Sequence, residues 1–284
     1  MMEEIITSDM IGALCPERKH DGHKGTFGTA LIIAGSRLMP GAQTLAAGTA
    51  LRSGVGMVRV FAPSGSLDST RANYPCALFS EWEETETSTI RLLSFYMRKA
   101  GACLIGPGLD ESDKRSLAVL EYVIGNAPLL VIDAGAINLL ASNIERLMPL
   151  LKERAKGTTV ITPHPGEFAR LKGTGNGSGF AKETGCIVVL KGHRTTVSSP
   201  DGRCCVNDGD NDGMAKGGSG DVLAGLITGL LAQGMDPFDA AVSGVFLHSV
   251  CGRILRDRMG ARAMLPQDMP SVIGDAFRKA GWEK

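Results

Sequence analysis

The chain has 284 residues, of which 43% are hydrophobic and 21% are charged, and its 30 Lys and Arg balance its 30 Asp and Glu. This length and apolar content are enough for one large α/β domain with a sizeable core. The balanced charge argues against a dedicated nucleic-acid-binding protein, which usually carries a basic excess. It allows a nucleotide ligand, which needs only a local patch.

The cysteines and the amino terminus indicate a cellular compartment. The seven Cys form no CxxC pair and have no zinc-like spacing to a His, and their number is odd. Free, buried thiols in a reducing compartment are therefore expected. The first residues are acidic rather than signal-peptide-like, and no run approaches the roughly 20 apolar residues of a membrane span. We expect a cytoplasmic protein with neither a nucleic-acid nor a membrane partner.

Six short apolar runs, each followed by a Gly or Pro break, predict parallel strands that are buried on both faces. In chain order they are residues 29–35, 57–63, 102–108, 128–135, 158–164 and 187–192. Residues 195–200 and 202–207 flank a Pro-Asp-Gly turn and predict an added hairpin. The acidic segment 81–89 predicts a solvated loop.

Helical patterns lie between these strands, at residues 41–53, 138–151, 221–233 and 236–256. The third has one apolar stripe, and the fourth opens with Pro237 at a plausible first turn. Strand–helix alternation predicts an α/β fold with a mainly parallel sheet and helices on both faces. Because no repeat or linker divides the chain, residues 1–284 are expected to form a single domain.

The unusual residues follow the predicted strands, at 106–108, 133–135, 163–167 and 191–192. In open parallel sheets, ligands bind beyond the carboxyl ends of the strands. These segments are therefore expected to converge on one edge of the sheet.

The strongest local signal is the glycine-rich run 213–220, which leads through Asp221 into an apolar helix. A helix amino terminus has unpaired N–H groups and holds anions, and glycines let the backbone approach phosphate closely. Asp221 could simply cap the helix. It could instead be a general base that takes a proton from a substrate hydroxyl beside a bound phosphate, and we favour this second role.

Two further segments offer ligand groups. Prolines on both sides restrict the ring of His164, which we expect to contact substrate. Glu167 could be a capping partner of the next turn or help to hold a metal at nucleotide phosphates. Residues 191–195 offer two cations and a hydroxyl to phosphates, or form a solvated turn into the hairpin.

Weaker candidates have equally plausible structural roles. Asp133 could contact a ligand or cap the next helix. Residues 39–42 precede a helix of small residues, which could present a second anion-binding terminus or allow close packing. His248, in an apolar helix, is predicted to be a core residue with its hydrogen bonds satisfied. There is no Walker A loop and no G-x-G-x-x-G dinucleotide motif, which disfavours P-loop and Rossmann enzymes.

Taken together, the motifs resemble those of the NAD(P)H-hydrate dehydratase family over about residues 20–275. They are KGTFGTALIIAGS, MPGAQTLAAGTALRSGVGMV, GPGL, VIDAGAIN, TPHPGEFARL, VVLKGHRT and GMAKGGSGDVLAGLITGLLAQG. The resemblance implies a ribokinase-like three-layer sandwich. It also implies an enzyme that dehydrates the 6S hydrate of NADH or NADPH, using ADP or ATP with Mg²⁺. Phosphorylation of the ring hydroxyl followed by loss of phosphate is the implied route.

The resemblance also assigns site residues. It implies substrate contacts for Ala42, for Gly106 or Gly108, for His164 and for Asp221, which acts as the base. With the glycine-rich run, it predicts nucleotide contacts for Lys191, Gly192, His193, Arg194, Thr195, Gly217, Gly218, Ser219 and Gly220. Relatives imply a homotetramer. Only about 20 residues precede the match, so we expect no epimerase activity here and a separate epimerase in the pathway.

The sequence departs from the family pattern at three places. Lys216 stands where a small or hydroxyl residue is common, which could change the charge near the phosphates. Arg253 stands where an Asp is expected, which puts in doubt any role of that acid, including metal handling. Residues 206–212 are more acidic than usual.

Two rival functions remain. A vitamin-precursor kinase of the same fold would share the glycine loop and the Asp base, but it should lack the TPHPGE and MPGA motifs that are present here. A non-catalytic nucleotide sensor is opposed by the intact Asp221 and supported by the altered region at Arg253.

Overall fold

The computed structural model describes residues 3–209 and 212–283. This part of the chain contains ten strands: β1 (Glu4–Ile5), β2 (Thr29–Ile33), β3 (Met57–Ala62), β4 (Leu78–Glu81), β5 (Ala102–Ile105), β6 (Leu130–Ile132), β7 (Thr159–Ile161), β8 (Ile187–Leu190), β9 (Arg194–Ser198) and β10 (Cys204–Asp208). They form one sheet in the order β1-β10-β9-β8-β7-β6-β5-β2-β3-β4.

The sheet is parallel except at β9, which runs antiparallel to both of its neighbours, β8 and β10. The six predicted parallel strands and the hairpin are confirmed. Each of the six ends one to three residues earlier than predicted, so that the glycines, prolines and charged residues after it lie in loops at the carboxyl edge.

The helices connect the strands. In the described ranges they are α1 (Ser8–Ala13), α2 (Pro40–Arg52), α3 (Asp68–Asn73), α4 (Glu86–Met97), α5 (Lys114–Asn126), α6 (Ala134–Ser142), α7 (Ile144–Glu153), α8 (Pro165–Arg170), α9 (Ser178–Thr184), α10 (Ser219–Ala232), α11 (Pro237–Met259) and α12 (Met269–Lys279). Short 3₁₀ turns occur at Asp212–Met214 and Pro266–Asp268.

Two predictions were wrong. The helix predicted at 138–151 is two helices, α6 and α7, because Asn143 between them has a non-helical backbone (φ −123°, ψ 35°). The loop predicted at 81–89 is short: β4 runs to Glu81, and Thr85 caps α4. Thr85 and Ser88 cap each other's backbone, a Ser-for-Glu variant of the usual capping box that pattern reading overlooks.

Two apolar cores lie on opposite faces of the sheet, and alternate residues of a strand belong to different cores. In β5, Leu104 joins the core under α2, α10, α11 and α12, whereas Cys103 and Ile105 join the core under α4 to α9. Such alternation is the period of a strand buried on both sides. The fold is therefore the predicted α/β three-layer sandwich.

Helices α2 and α10 pack unusually closely, because glycines form their contact. A Cβ added at Gly225 would lie 2.2 Å from the Ala46 carbonyl oxygen, and one at Gly229 would lie 2.1 Å from the Ser53 Oγ. At the start of α10, a Cβ on Gly218 would lie 2.6 Å from a methyl group of Leu45, in the second turn of α2. The amino termini of both helices therefore lie side by side at the carboxyl edge of the sheet.

Helix α11 is long and apolar enough to span a membrane by length and composition, but 89% of its apolar window is buried inside the protein. That burial is typical of the core helix of a globular fold. The seven cysteines all fall in the described ranges, and each is a free thiol, as predicted. Five of them are buried, but Cys15 and Cys76 are exposed, so the prediction of buried thiols was wrong for these two.

Candidate active site

Adjacent strands bring charged side chains together at the carboxyl edge. Asp133 follows β6, Glu167 lies in α8 after β7, and Lys191 follows β8. The Lys191 Nζ lies 2.8 Å from the Asp133 Oδ1 and 3.9 Å from the Glu167 Oε2. With Asp221, in the first turn of α10, these residues form what we call the carboxylate–lysine cluster.

Asp133 does not cap the helix that follows it. Its side chain makes no capping hydrogen bond to α6, although it occupies the N-cap position. Instead, its Oδ1 accepts hydrogen bonds from the Thr162 Oγ1 and the Lys191 Nζ, each at 2.8 Å. The other oxygen, Oδ2, is buried and has no hydrogen-bond partner among the described residues. A buried carboxylate oxygen without a partner is costly, which makes Asp133 a ligand candidate rather than a structural cap.

The charged groups of the cluster shift one another's pKa values. The pKa of Asp221 is raised to about 7, first by burial and then by the charge of Asp133; Lys191 opposes the rise, and Glu167 adds a smaller contribution to it. Burial lowers the pKa of Lys191, but the three carboxylates outweigh burial and the pKa of Lys191 is raised. Lys191 is therefore a cation at neutral pH, whereas Asp221 is poised to exchange a proton there.

His164 and Glu167 cap the start of α8. The His164 Nδ1 accepts hydrogen bonds from the amides of Gly166 (3.0 Å) and Glu167 (3.3 Å), and the Glu167 Oε2 accepts one from the His164 amide (2.8 Å). Of the two roles open to Glu167, the structure favours the capping partner over the metal ligand. The His164 ring is half exposed and contributes to the edge of the cavity described below.

A second group of predicted residues forms a wall made of backbone. A Cβ on Gly106 would lie 1.8 Å from the Asp133 carbonyl oxygen, and one on Gly108 would lie 2.7 Å from the Ala42 Cβ. Both glycines have a positive φ (128° and 63°), which other residues rarely adopt. We call Ala42, Gly106 and Gly108 the glycine wall. Because Gly106 touches Asp133, the wall adjoins the carboxylate–lysine cluster.

A cavity of about 670 Å³ opens beside the cluster. This volume is typical of small-molecule sites. Six predicted nucleotide-binding residues line it, together with His164: Lys191, Gly192, His193, Thr195, Ser219 and Gly220. Asp221 and the glycine wall are not part of its lining. Gly220 joins the cavity to the carboxylate–lysine cluster. A Cβ added to it would lie 3.1 Å from the Lys191 Nζ and 3.8 Å from the Asp133 Oδ2.

Three predicted nucleotide-binding residues are not in this lining. Arg194 lies in β9, where it is paired across the hairpin with Asp208 and forms an ion pair with it at 3.5 Å. Gly217 is exposed with no atom near its Cβ position, and Gly218 is the N-cap of α10, packed on Leu45. The other members of both predicted runs line the cavity, and nucleotide contact by these three residues stays a prediction.

The cavity has further lining residues for which the sequence analysis predicted no ligand contact, although it placed Lys216 near the phosphates. The remaining lining residues are Pro165, Asn207, Gly209, Asp212, Met214, Ala215, Lys216, Leu223, Val245, His248 and Ser249. Val245, His248 and Ser249 share one face of α11, at i, i+3 and i+4, and that spacing was an available signal. The predicted acidic stretch 206–212 is only partly visible, because Asp210 and Asn211 lie outside the described residues.

The prediction for His248 was half right. The residue is buried in α11, but its Nε2 has no hydrogen-bond partner in the described part of the chain. Burial lowers the pKa of His248 to about 4, a fall that hydrogen bonding with the Ser219 backbone partly opposes, so the ring is neutral at physiological pH. His248 is therefore an unsatisfied group in the cavity wall rather than a satisfied core residue.

The structure also locates two of the three departures from the family pattern, Lys216 and Arg253. The Lys216 Nζ donates hydrogen bonds to the backbone carbonyls of Arg262 (2.7 Å) and Met264. Arg253 is exposed and donates from its Nη1 to the Oγ of Ser249, a residue of the cavity lining, at 3.0 Å.

Sequence comparisons with known proteins identify the family of this chain. The family model described as NAD(P)H-hydrate dehydratase matches residues 30–274. A Bacillus subtilis protein named ADP-dependent (S)-NAD(P)H-hydrate dehydratase is 32% identical over 96% of this chain and 97% of its own length. The chain also spans about half (54%) of a 34% identical bifunctional NAD(P)H-hydrate repair enzyme from Moorella thermoacetica.

Solved structures give the same result. A ribokinase-like superfamily protein from Enterococcus faecalis has a TM-score of 0.85 and 28% identity, covering 99% of this chain and 97% of its own. The ADP/ATP-dependent NAD(P)H-hydrate dehydratase of B. subtilis, co-crystallised with ATP and Mg²⁺, has a TM-score of 0.81 and 30% identity, covering 99% of both chains.

Proposed function

Because the chain belongs to the NAD(P)H-hydrate dehydratase family, we propose that it dehydrates the 6S hydrates of NADH and NADPH at the expense of ADP or ATP. It is a lyase that repairs damaged cofactor. The observation that carries the proposal is the position of Asp221, which is part-buried in the first turn of α10, beside Lys191 and next to a cavity of nucleotide size.

We further propose how the residues share the work. The nucleotide occupies the cavity, and the backbone N–H groups at the start of α10 hold the phosphate that is transferred. The hydrate lies against the glycine wall, with its ring hydroxyl near Asp221. Asp221 takes the hydroxyl proton as the oxygen attacks phosphorus, and Lys191 balances the charge on the phosphate oxygens. Loss of phosphate and a ring proton then restores the double bond.

A pKa near 7 suits this base. A general base works best when its pKa is close to the pH at which it operates, since it is then both ionised and basic enough. An ordinary exposed Asp would be ionised but too weak a base at neutral pH. Burial beside Asp133 makes the carboxylate of Asp221 more basic, so the cluster provides what a proton-accepting step needs.

Magnesium fits this site only as an ion held mainly by phosphate. Among residues 3–209 and 212–283, no three His, Cys, Asp or Glu side chains come together as a metal-binding group. The Oδ2 of Asp133 is the free buried carboxylate oxygen of the cluster, and Mg²⁺ commonly uses one or two carboxylates with phosphate and water. When bound, the ion would neutralise phosphate charge, with Asp133 as its protein contact.

The proposal is tested by mixing the protein and Mg²⁺ with purified NADH hydrate and supplying ADP and ATP in separate reactions. The near-ultraviolet absorbance of the dihydronicotinamide ring should recover with at least one nucleotide, and that nucleotide is the donor. Reactions without nucleotide are the control. No recovery despite demonstrated nucleotide binding would reject the dehydratase. Adding thiazole or pyrimidine alcohols would then separate a small-alcohol kinase, which phosphorylates them, from a sensor, which does not.

Several expectations remain predictions. A homotetramer, a cytoplasmic location, a single catalytic domain over the whole chain and a separate epimerase in the same pathway are consistent with the family.

A further inference from the structure

Lys216 lies in the segment that leads into α10, which we call the glycine loop (residues 213–218). Its ammonium donates hydrogen bonds to two backbone carbonyls, those of Arg262 and Met264, in the segment between α11 and the 3₁₀ turn at Pro266–Asp268. A charged donor with two carbonyl acceptors makes stronger contacts than neutral hydrogen bonds do. Lys216 thus connects the glycine loop to residues that lie 46 and 48 positions later in the sequence.

The segment that receives Lys216 is itself well held. The Met264 side chain is fully buried, and its amide donates to the Gly260 carbonyl at 3.2 Å. The next amide, of Leu265, donates to the Asp268 Oδ2 at 3.0 Å. A Cβ on Gly213 would lie 2.5 Å from the Met264 Sδ, so the glycine loop packs directly on this segment. The Lys216 ammonium is therefore bound to a segment that is itself held by hydrogen bonds and packing.

The backbone of Lys216 also contacts the start of α10. Its carbonyl accepts the amide of Ser219, the first residue of the helix, at 3.2 Å. Met214 and Ala215 precede it in the loop and line the cavity together with Lys216 and Ser219. Glycines at 213, 217 and 218 leave the loop backbone with little intrinsic preference for this shape.

We propose that Lys216 is a positioning residue that straps the glycine loop to the segment 260–265 and so holds the nucleotide cavity in its binding shape. This inference rests on the proposed function, because it takes the cavity to be the nucleotide site. The loop contributes both cavity wall, through Met214 and Ala215, and the helix terminus at Ser219. A loosened loop therefore weakens binding of the whole nucleotide and not of its phosphates alone.

A direct phosphate contact is the competing role for a lysine at this place. An ammonium has three N–H donors, and two of those of Lys216 already point at carbonyl oxygens. Leaving these carbonyls would cost two charge-assisted hydrogen bonds, which favours the strap. The two roles differ in which ligands they affect, since adenosine has the base and the sugar but no phosphate.

The test measures the calorimetric affinity of ADP and of adenosine for the wild type, Lys216→Met and Lys216→Arg. Lys216→Met keeps the apolar stem and removes the ammonium, whereas Lys216→Arg keeps the donors. The strap predicts that Lys216→Met weakens both ligands by a similar factor, about tenfold or more, and that Lys216→Arg recovers part of the loss. Turnover at saturating nucleotide should change by less than about threefold, because the packing of α10 on α2, through Gly225 and Gly229, holds the helix that carries Asp221. Lys182→Met, an exposed lysine on α9, is the matched control.

The other outcomes overturn the inference. A loss for ADP with unchanged adenosine affinity would show a phosphate contact instead, and unchanged affinity for both ligands would show that the strap has no role. If Lys216→Met folds poorly, Lys216→Arg and Lys216→Gln carry the same comparison, and equal wild-type-like affinities in both would overturn it. Failure of the wild-type protein itself to bind ADP would overturn the proposed function as well, so the two failures are distinguishable.

Discussion

The glycine wall and the carboxylate–lysine cluster lie side by side at the carboxyl edge of the sheet, yet they are built on different principles. The wall has its shape because Gly106 and Gly108 bring backbone within distances that admit no side chain. The cluster has its chemistry because buried charges alter one another's proton affinity. They meet at Asp133, whose carbonyl touches Gly106 and whose carboxylate binds Lys191. A substitution that changes volume should therefore damage the wall, and one that changes charge should damage the cluster.

The largest effect is expected from Asp221→Asn, which removes the proposed base and keeps its size. Turnover should fall by about 10²- to 10⁴-fold, the usual contribution of a general base. Affinity for ADP should change little, because Asp221 is not part of the cavity lining. The measurement is the steady-state rate with NADH hydrate beside the calorimetric affinity for ADP.

The control for that experiment is Asp68→Asn, a carboxylate whose side chain is 89% exposed. It should match the wild type in both measurements. If Asp221→Asn kept most of its turnover, another group would have to be the base, and the cluster would be a charge-balancing structure only.

The second prediction concerns the wall. Gly106→Ala places a Cβ 1.8 Å from the Asp133 carbonyl oxygen at a φ of 128°. Backbone strain and overpacking together should lower the free energy of unfolding by about 2 to 6 kcal/mol. Chemical denaturation measures the change. Because Asp133 is displaced, turnover should also fall in the folded fraction.

Gly65→Ala separates strain from collision in this comparison. Gly65 also has a positive φ (76°), but nothing lies within 4 Å of its Cβ position. It should lose only the strain part, about 1 to 3 kcal/mol, and keep full turnover. Equal losses for the two variants would mean that the wall tolerates a methyl group, against the proposed close contact.

The two regions also differ in how far the sequence predicts them. Apolar runs ending in glycine or proline locate six strands, because strands buried on both faces need continuous apolar residues. The same rule places the GPG turn and Asp133 at one edge. The break at Asn143 and the cap at Thr85 were missed, because each depends on one residue's backbone conformation rather than on periodicity.

Within the site, the sequence identifies candidate residues but does not predict which other residues they contact. Asp221, Lys191 and the glycines stand out as motifs, but nothing local shows that Asp133 would bond Lys191 from 58 residues away. The unsatisfied Nε2 of His248 is likewise a product of tertiary packing. Nor does the run 191–195, which predicts nucleotide contact for Arg194, show that the hairpin pairs this residue with Asp208.

The third prediction concerns the carboxylate–lysine cluster and the pH dependence of kcat/KM. Asp221 must be ionised to accept a proton, and its pKa is raised to about 7. kcat/KM should therefore be level above that pH and fall about tenfold per pH unit below it. An unperturbed Asp would instead keep the rate level down to about pH 4. A pH–rate profile with NADH hydrate at fixed ionic strength measures the midpoint.

Asp133→Asn tests the cause of that midpoint, because the charge of Asp133 is the largest contribution after burial to the raised pKa of Asp221. Removing a nearby negative charge makes ionisation of Asp221 easier, so the acid limb should move to lower pH with the same slope, and more of the rate should be kept at mildly acid pH. Asp68→Asn, far more exposed, should leave the limb in place. A limb that stayed put in Asp133→Asn would mean that burial alone sets the basicity of Asp221. The charge of Asp133 would then serve to hold Lys191 in place rather than to tune the base.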